Sequence, residues 1–172
     1  MNDSITSRRL QLRLMSAEFI DAVLALERGE AARIIGAELP PKWPDDDATW
    51  LLGFRRKQMD AASVPWLVRA VIRTEDQAFL GHIGFHGPPE GGMAEVGYTV
   101  FEPYRRKGYA EEALRALLSW AQNEHGITRF RASVGPTNDP SLSLVKKLGF
   151  VETGVQWDER DGEELVFELA VR

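Results

Sequence analysis

Three consecutive cations stand directly before a helix-forming segment in the middle of the sequence. Arg105, Arg106 and Lys107 are followed by Gly108 and then by the run YAEEAL. A helix N-terminus carries about half a positive charge and several unpaired backbone N–H groups, so extra cations there favour a strongly anionic ligand. Phosphate is the usual ligand of such a position. The alternative is a solvated basic loop that binds nothing.

The composition limits the chemistry that the rest of the chain can supply. A chain of 172 residues that is 44% hydrophobic and 27% charged is typical of one globular domain, so we expect residues 1–172 to form a single domain. The absence of cysteine excludes disulfides, thiolate nucleophiles and thiolate metal sites. His82 and His86 lie four apart on a predicted strand, about 13 Å from each other. That separation is too large for one ion, so we expect no metal.

Charge and hydropathy restrict the partners. The net charge of −5 argues against a general nucleic-acid-binding surface. No apolar run reaches the roughly 18 residues that a membrane span needs, and the N-terminus lacks the apolar core of a signal peptide. We therefore expect no nucleic acid and no membrane partner, and a cytoplasmic location.

Periodicity along the chain indicates a mixture of strands and helices. The predicted order is strand, helices, three strands, a long helix from Gly108 to Glu124, strand, short helix and two strands. Ser16 is expected to cap the first helix, whereas the breaker-rich region from Glu27 to Asp60 is difficult to assign. The segments VPWLVRAVI and QAFLGHIGF are read as strands. This order predicts an α/β or α+β fold with a partly antiparallel sheet.

Two motifs occur in a fixed order around the long helix. Residues 105–110, RRKGYA, fit the pattern Arg/Gln-x-x-Gly-x-Gly/Ala between a strand and a helix. Downstream, Asn138 and Ser141 are spaced as Asn-x-x-Ser before the sequence KLGF. Together the motifs resemble the GNAT superfamily of acetyl-coenzyme-A-dependent N-acetyltransferases. The spacing is most similar to the branch that contains ribosomal-protein N-terminal acetyltransferases.

The resemblance implies a fold and a cosubstrate. The fold is a largely antiparallel sheet of about seven strands, with helices on both faces and a V-shaped opening between the fourth and fifth strands. Acetyl-CoA is the implied cosubstrate, with its pantetheine arm in that opening. The backbone near Val100 and Phe101 is expected to pair with pantetheine, and Asn138 to contact the cofactor from the far side. The implied pyrophosphate-binding residues are Arg105, Arg106, Lys107, Gly108, Tyr109 and Ala110.

Acetyl transfer to an amine also requires proton transfer, because a free alkyl ammonium has a pKa near 10. Glu95, on the strand that leads to the cationic loop, is the candidate base implied by the resemblance. Its alternative is a solvent-facing strand residue. A second family position for a base holds Ser133, which cannot serve.

The family's usual acid is a tyrosine in the last helix, but Val145 occupies that position. Ser141 is the candidate hydrogen-bond donor to the departing sulfur, and it also contacts the cofactor if the resemblance holds. The alternative is a serine in the first turn of a helix. Tyr104 and Tyr109 are other phenols nearby, and Tyr109 is expected to pack against the cofactor or the core.

The acceptor side is much less evident from the sequence. Trp43, the acidic run 45–47 and Trp50 would suit a cationic amine or a peptide N-terminus. The same acidic run is also an ordinary helix start. Trp157 is a second candidate for the wall of the site.

Two functions from different classes are therefore open. The first is an acetyltransferase acting on a small-molecule amine or a peptide N-terminus. The second is a protein that binds acyl-CoA as a sensor or scaffold without efficient catalysis, which Val145 and Ser133 keep possible. The apolar run VFELAV near the C-terminus predicts a possible homodimer through a sheet edge.

Overall fold

Eight strands form one sheet in residues 4–172, the part of the chain that the computed structural model describes. The strands are β1 (Ile5–Thr6), β2 (Leu10–Leu14), β3 (Arg69–Arg73), β4 (Phe79–Phe85), β5 (Met93–Val100), β6 (Arg129–Val134), β7 (Val151–Asp158) and β8 (Gly162–Ala170). Their spatial order is β1-β2-β3-β4-β5-β6-β8-β7. Every neighbouring pair is antiparallel except β5 and β6, which run parallel.

Five α-helices cover the two faces of this sheet. They are α1 (Ala17–Leu24), α2 (Arg28–Ile35), α3 (Asp46–Gln58), α4 (Tyr109–His125) and α5 (Asp139–Lys147). The apolar residues of α1 to α3 form one core cluster with the β3 and β4 side chains Ile72 and Phe79. Those of α4 and α5 form a second cluster with Ala94 and Val96 of β5. The mixed, largely antiparallel fold with helices on both faces is confirmed.

The one parallel pair separates along its length. Cα pairing between β5 and β6 runs from Met93–Arg129 to Val96–Ala132 and then ends. Beyond that point β5 continues to pair with β4, and β6 continues to pair with β8. The two strands therefore enclose an opening, as predicted for the strands on either side of the long helix. Because the short β1 adds an eighth strand, the opening lies between the fifth and sixth strands rather than the fourth and fifth.

Local sequence chemistry accounts for several element ends. Ser16 caps α1 as predicted, because its Oγ accepts the backbone N–H of Phe19 at 3.1 Å. The first helix ends at Leu24, and Leu26 is 76% exposed with a φ of 61°. The α2 helix, in the region that the sequence left unassigned, ends at Gly36 in a left-handed conformation.

Two sequence predictions about strands are corrected. The segment VPW forms a turn of 3₁₀ helix at Val64–Trp66, so the strand predicted from 64 begins only at Arg69. Pro65 has a fixed φ and no N–H to donate to a ladder, which favours the turn. The run VFELAV lies in β8 between β6 and β7, so it is not a free edge. The edge strand at this end of the sheet is β7, so β8 offers no free edge through which the predicted homodimer could form.

Candidate active site

The opening between β5 and β6 exposes backbone groups of alternate β5 residues. The N–H of Phe101 donates to the C=O of Leu80 on the β4 side at 2.8 Å. Because successive residues of a strand point their N–H and C=O groups in opposite directions, those of Tyr98 and Val100 point into the opening. The C=O of Val100 accepts a 2.8 Å hydrogen bond from Nε of Arg105. Strand addition by an extended ligand would use these groups once Arg105 releases the C=O of Val100.

Phe101 does not share this orientation, and its predicted role needs correction. Its N–H is bonded to Leu80, and its C=O accepts the N–H of Tyr104 at 2.9 Å. Its ring stacks on Phe79, with centroids 5.8 Å apart. The backbone of Phe101 is thus engaged within the protein, and Tyr98 rather than Phe101 shares the backbone orientation of Val100. Period-two alternation counted back from Val100 would have identified Tyr98.

The cationic loop lies where the chain leaves β5 and enters α4. Arg105, Arg106, Lys107 and Gly108 are all exposed. Arg106 and Gly108 have left-handed φ values of 64° and 79°, and α4 begins at Tyr109. The first N–H groups of a helix have no intrahelical acceptor, and no side chain caps this one. Exposed cations beside unpaired N–H groups fit a pyrophosphate, so the residues present suit coenzyme A.

A carboxylate clamp, which sequence reasoning missed, holds this loop to the N-terminal strand pair. Glu112 of α4 accepts hydrogen bonds from Ser7 Oγ at 2.6 Å, from the Arg9 backbone N–H at 2.7 Å and from Arg9 Nε at 2.6 Å. Nη1 of Arg9 also donates to the C=O of Lys107 at 3.1 Å. Burial alone would raise the pKa of Glu112, but these hydrogen bonds lower it. No local pattern signals contacts over 103 residues.

Tyr109 and Ala110 occupy the first turn of α4. The Tyr109 side chain is buried, its hydroxyl accepts a hydrogen bond from Arg73 Nη1 at 3.1 Å, and the guanidinium of Arg9 lies 4.4 Å from its ring centroid. The phenol is therefore part of the core. Ala110 is half-buried.

The far side of the opening is formed by the start of α5. Asn138 caps this helix, because its Oδ1 accepts the N–H of Ser141 at 3.3 Å. The hydroxyl of Tyr98 is enclosed and has no hydrogen bond of good geometry within residues 4–172. Burial raises the pKa of Tyr98, while the nearby Ser141 hydroxyl partly lowers it. Val145 is fully buried in the core. The structure thus brings Ser141 and an unforeseen phenol together.

Polar side chains gather on the opposite face of the sheet, behind the point where the strands separate. Ser133 Oγ donates to Oε1 of Glu95 at 2.6 Å, and Gln156 Nε2 donates to Ser133 Oγ at 3.0 Å. Nδ1 of His86 lies 3.6 Å from Oε2 of Glu95. The sequence predicted that His86 binds no metal and that Ser133 cannot act as a base. It gave no sign of their contacts with Glu95, because the pairing of β5 with both β4 and β6 is not evident from either motif.

The surroundings of Glu95 keep it ionised. Burial by itself would raise the pKa of Glu95, but the interactions with His86 and Ser133 and the charge of Arg131 outweigh it and lower the pKa to about 2. The side chain is 26% exposed. Glu95 is therefore neither a free surface residue nor a carboxylate with a raised pKa, which a strong general base would need.

A small cavity of about 110 Å³ adjoins this group. His82, His86, Gly97 and Thr99 are among its lining residues. Burial lowers the pKa of His82 to about 4, so its imidazole is neutral at neutral pH. A larger, more open cavity of about 1190 Å³ lies beside the α2–α3 loop, with Phe101 in its wall.

The residues predicted to form the acceptor wall have separate roles. Trp43 is buried in the core, and Asp45 caps α3 by accepting the N–H of Ala48 at 2.8 Å. Asp47 pairs with Arg160 at 2.6 Å, and the Arg160 guanidinium lies 4.5 Å from the ring centroid of Trp50. This contact joins α3 to the β7–β8 turn above the polar face. Trp157 is 76% exposed.

Within residues 4–172, no three His, Asp or Glu side chains are grouped so as to hold a metal ion. None of the helices in that range combines the length and apolar character needed to cross a membrane.

The splayed parallel pair and the cationic turn at a helix start suit an acyl-coenzyme A ligand. The chain belongs to the acetyltransferase (GNAT) domain family, which matches residues 9–151. It is similar to YjdG of Bacillus subtilis, an uncharacterised N-acetyltransferase, with 27% identity over 153 residues that cover 86% of this chain and 89% of the relative. Acetyl-CoA is the cosubstrate, and the protein is an acetyl-CoA-dependent acyltransferase.

Solved structures share the fold at low identity. The ribosomal-protein-S5-alanine acetyltransferase of Vibrio fischeri aligns with a TM-score of 0.65 and 16% identity over 97% of this chain and 96% of that one. The microcin C7 self-immunity acetyltransferase MccE, solved with acetyl-CoA and AMP, aligns with a TM-score of 0.66 and 14% identity over 96% and 94%. At these identities the likeness shows the fold alone, so the branch inside the family stays a prediction.

Proposed function

We propose that this enzyme transfers the acetyl group of acetyl-CoA to a primary amine by direct attack of the amine on the thioester. The observation that carries the proposal is the ionised Glu95, which lies with His86 and Ser133 on the sheet face behind the opening. An acceptor that arrives as an ammonium ion is attracted to a partly buried carboxylate. The proposed acceptor is accordingly a cationic amine, either a small molecule or a peptide N-terminus.

The proposed cofactor contacts come from three elements. The N–H groups at the start of α4, with Gly108 and the cations Arg105, Arg106 and Lys107, hold the pyrophosphate. The free backbone groups of Tyr98 and Val100 pair with pantetheine, and Arg105 must then release the C=O of Val100. A backbone N–H in the opening also polarises the thioester carbonyl. Asn138 lines the far wall while it caps α5.

In the proposed reaction the amine nitrogen forms a bond to the carbonyl carbon and the carbon–sulfur bond breaks. One proton must leave the ammonium before attack, and a second leaves the nitrogen as the amide forms. Glu95 lies on the side of the opening where the amine enters and where these protons leave. On the sulfur side Ser141 donates a hydrogen bond to the departing thiolate, and the enclosed hydroxyl of Tyr98 supports it.

Two measurements with purified protein test this function. Free coenzyme A thiol should be released from acetyl-CoA when 2-phenylethylamine, an alkyl diamine or short peptides beginning with Ala or Ser are supplied. Mass spectrometry should find the acceptor heavier by one acetyl group. Gly108→Val should weaken coenzyme A binding in calorimetry, because a β-branched residue cannot easily adopt a φ of 79°.

The outcome also separates the two classes of function. Release of thiol with an acetylated amine supports the proposal. Thermal stabilisation by coenzyme A without acetylation of any amine would favour a binding module instead.

A further inference from the structure

The sheet face that carries Glu95 and Ser133 also carries a second titratable side chain, His86. Both carboxylate oxygens of Glu95 are engaged: Oε1 accepts from Ser133 at 2.6 Å, and Oε2 faces Nδ1 of His86 at 3.6 Å. The Glu95 side chain is 26% exposed, whereas that of His86 is 44% exposed. The imidazole is thus the more accessible member of the pair.

The position of the His86 ring relates it to the reacting carbonyl. A Cβ built on Gly97 would lie 2.9 Å from Nε2 of His86, so the ring lies directly over the glycine. The next residue, Tyr98, points its backbone N–H and C=O into the opening. Nε2 therefore lies over the residue that precedes Tyr98 on β5, on the sheet face that carries Glu95. Both Gly97 and His86 line the 110 Å³ cavity.

We propose that His86 is the general base of the reaction and that Glu95 is its positioning residue. This inference rests on the proposed amine acetylation and refines it. The ammonium loses its first proton to solvent before attack. The second passes to Nε2 of His86 as the carbon–nitrogen bond forms and the carbon–sulfur bond breaks, while the Nδ1–H faces Glu95. The resulting imidazolium is stabilised by the carboxylate and returns its proton to solvent. The sulfur departs as the thiolate on the opposite side of the sheet and is protonated by solvent.

Chemistry favours this division of roles. A carboxylate with a pKa of about 2 gains a proton from an amine only at a large free-energy cost. Imidazole ordinarily changes charge between pH 5 and 8, and a neighbouring carboxylate stabilises its charged form. The 3.6 Å separation is longer than a hydrogen bond, as is common for catalytic pairs without bound substrate. His82 is not an equivalent candidate, because burial disfavours its charged form.

Other charged groups also face His86. Arg55 of α3 is buried, and its Nη1 lies 3.4 Å from the His86 C=O. The charge of Arg131 on β6 acts on Glu95, and Asp158 of β7 is near enough for His86 to help lower its pKa. Two acidic groups and two arginines thus surround His86, so a pH profile of kcat reflects their combined charges.

Loss and chemical rescue of the imidazole test the assignment. Using the best acceptor from the amine panel, His86→Ala should lower kcat at pH 7 by about 100-fold, with the affinity for coenzyme A unchanged. Added imidazole should raise the kcat of His86→Ala at least tenfold, because the site is open to solvent. Imidazole should stimulate neither the wild-type enzyme nor Glu95→Gln. A His86→Ala enzyme with kcat within twofold of wild type, or one that imidazole does not rescue, would overturn the inference.

A second variant and a spectroscopic readout do not depend on removing the ring. Gly97→Ala should displace the imidazole and lower kcat, while thermal stability changes little because a side-chain tip can move aside. The NMR shifts of the His86 imidazole should differ between Glu95→Gln and wild type at the same pH, and unchanged shifts would count against the pair. If wild type acetylates no amine, the proposed function fails, and the NMR result alone decides whether Glu95 and His86 interact.

Discussion

The depressed pKa of Glu95 predicts how the stability of the fold depends on pH. A carboxyl group whose pKa falls on folding stabilises the native state above its unfolded pKa, and that contribution is lost as the pH falls through the folded value. For Glu95 the pKa falls from 4.5 to about 2. The shift of about 2.5 units corresponds to about 3 kcal/mol at pH 7, of which about 1 kcal/mol remains at pH 3.

The Glu95→Gln substitution removes this titration while keeping the shape of the side chain. The loss of unfolding free energy between pH 7 and pH 3 should be about 2 kcal/mol smaller in Glu95→Gln than in wild type. Urea unfolding curves at the two pH values measure this loss of unfolding free energy. Subtracting the loss in Glu95→Gln from the loss in wild type cancels the contribution of the other carboxylates. Glu159→Gln, in the exposed β7–β8 turn, is the matched control and should follow wild type. Equal losses in wild type and Glu95→Gln would refute the buried, ion-paired state of Glu95.

Two further predictions concern groups on either side of the opening. Glu112→Gln should reduce the free energy of unfolding by about 1–3 kcal/mol and weaken coenzyme A binding, because Arg9 loses its charged partner next to the loop. Urea unfolding and calorimetry measure both effects, with the exposed Glu124→Gln as the control. Tyr98→Phe removes a hydroxyl that makes no good hydrogen bond in residues 4–172, so stability should stay within about 1 kcal/mol of wild type. Its kcat should nevertheless fall about tenfold if the phenol supports the departing sulfur, and an unchanged kcat would remove Tyr98 from the reaction.

The sequence predicted those features whose physical cause is local. The cations beside Gly108 and the helix after them follow from helix-terminus chemistry, and the loop and α4 lie where the motif predicts. The Ser16 cap and the alternating strands are likewise short-range effects. In the segment VPW, by contrast, the β-branched Val64 and the aromatic Trp66 suggested a strand. The proline between them favours the turn that the structure shows.

The active-site assignment depended on distances that the sequence does not contain. Glu95 was recognised as chemically important, but its pKa is set by Ser133 and His86, which reach it from the strands on either side. Arg9 meets Glu112 across 103 residues of chain. Electrostatic interactions fall off with spatial separation and not with separation along the chain. The sequence by itself therefore determined the cationic turn and the family fold, whereas only the tertiary structure decided which side chains lie together around Glu95.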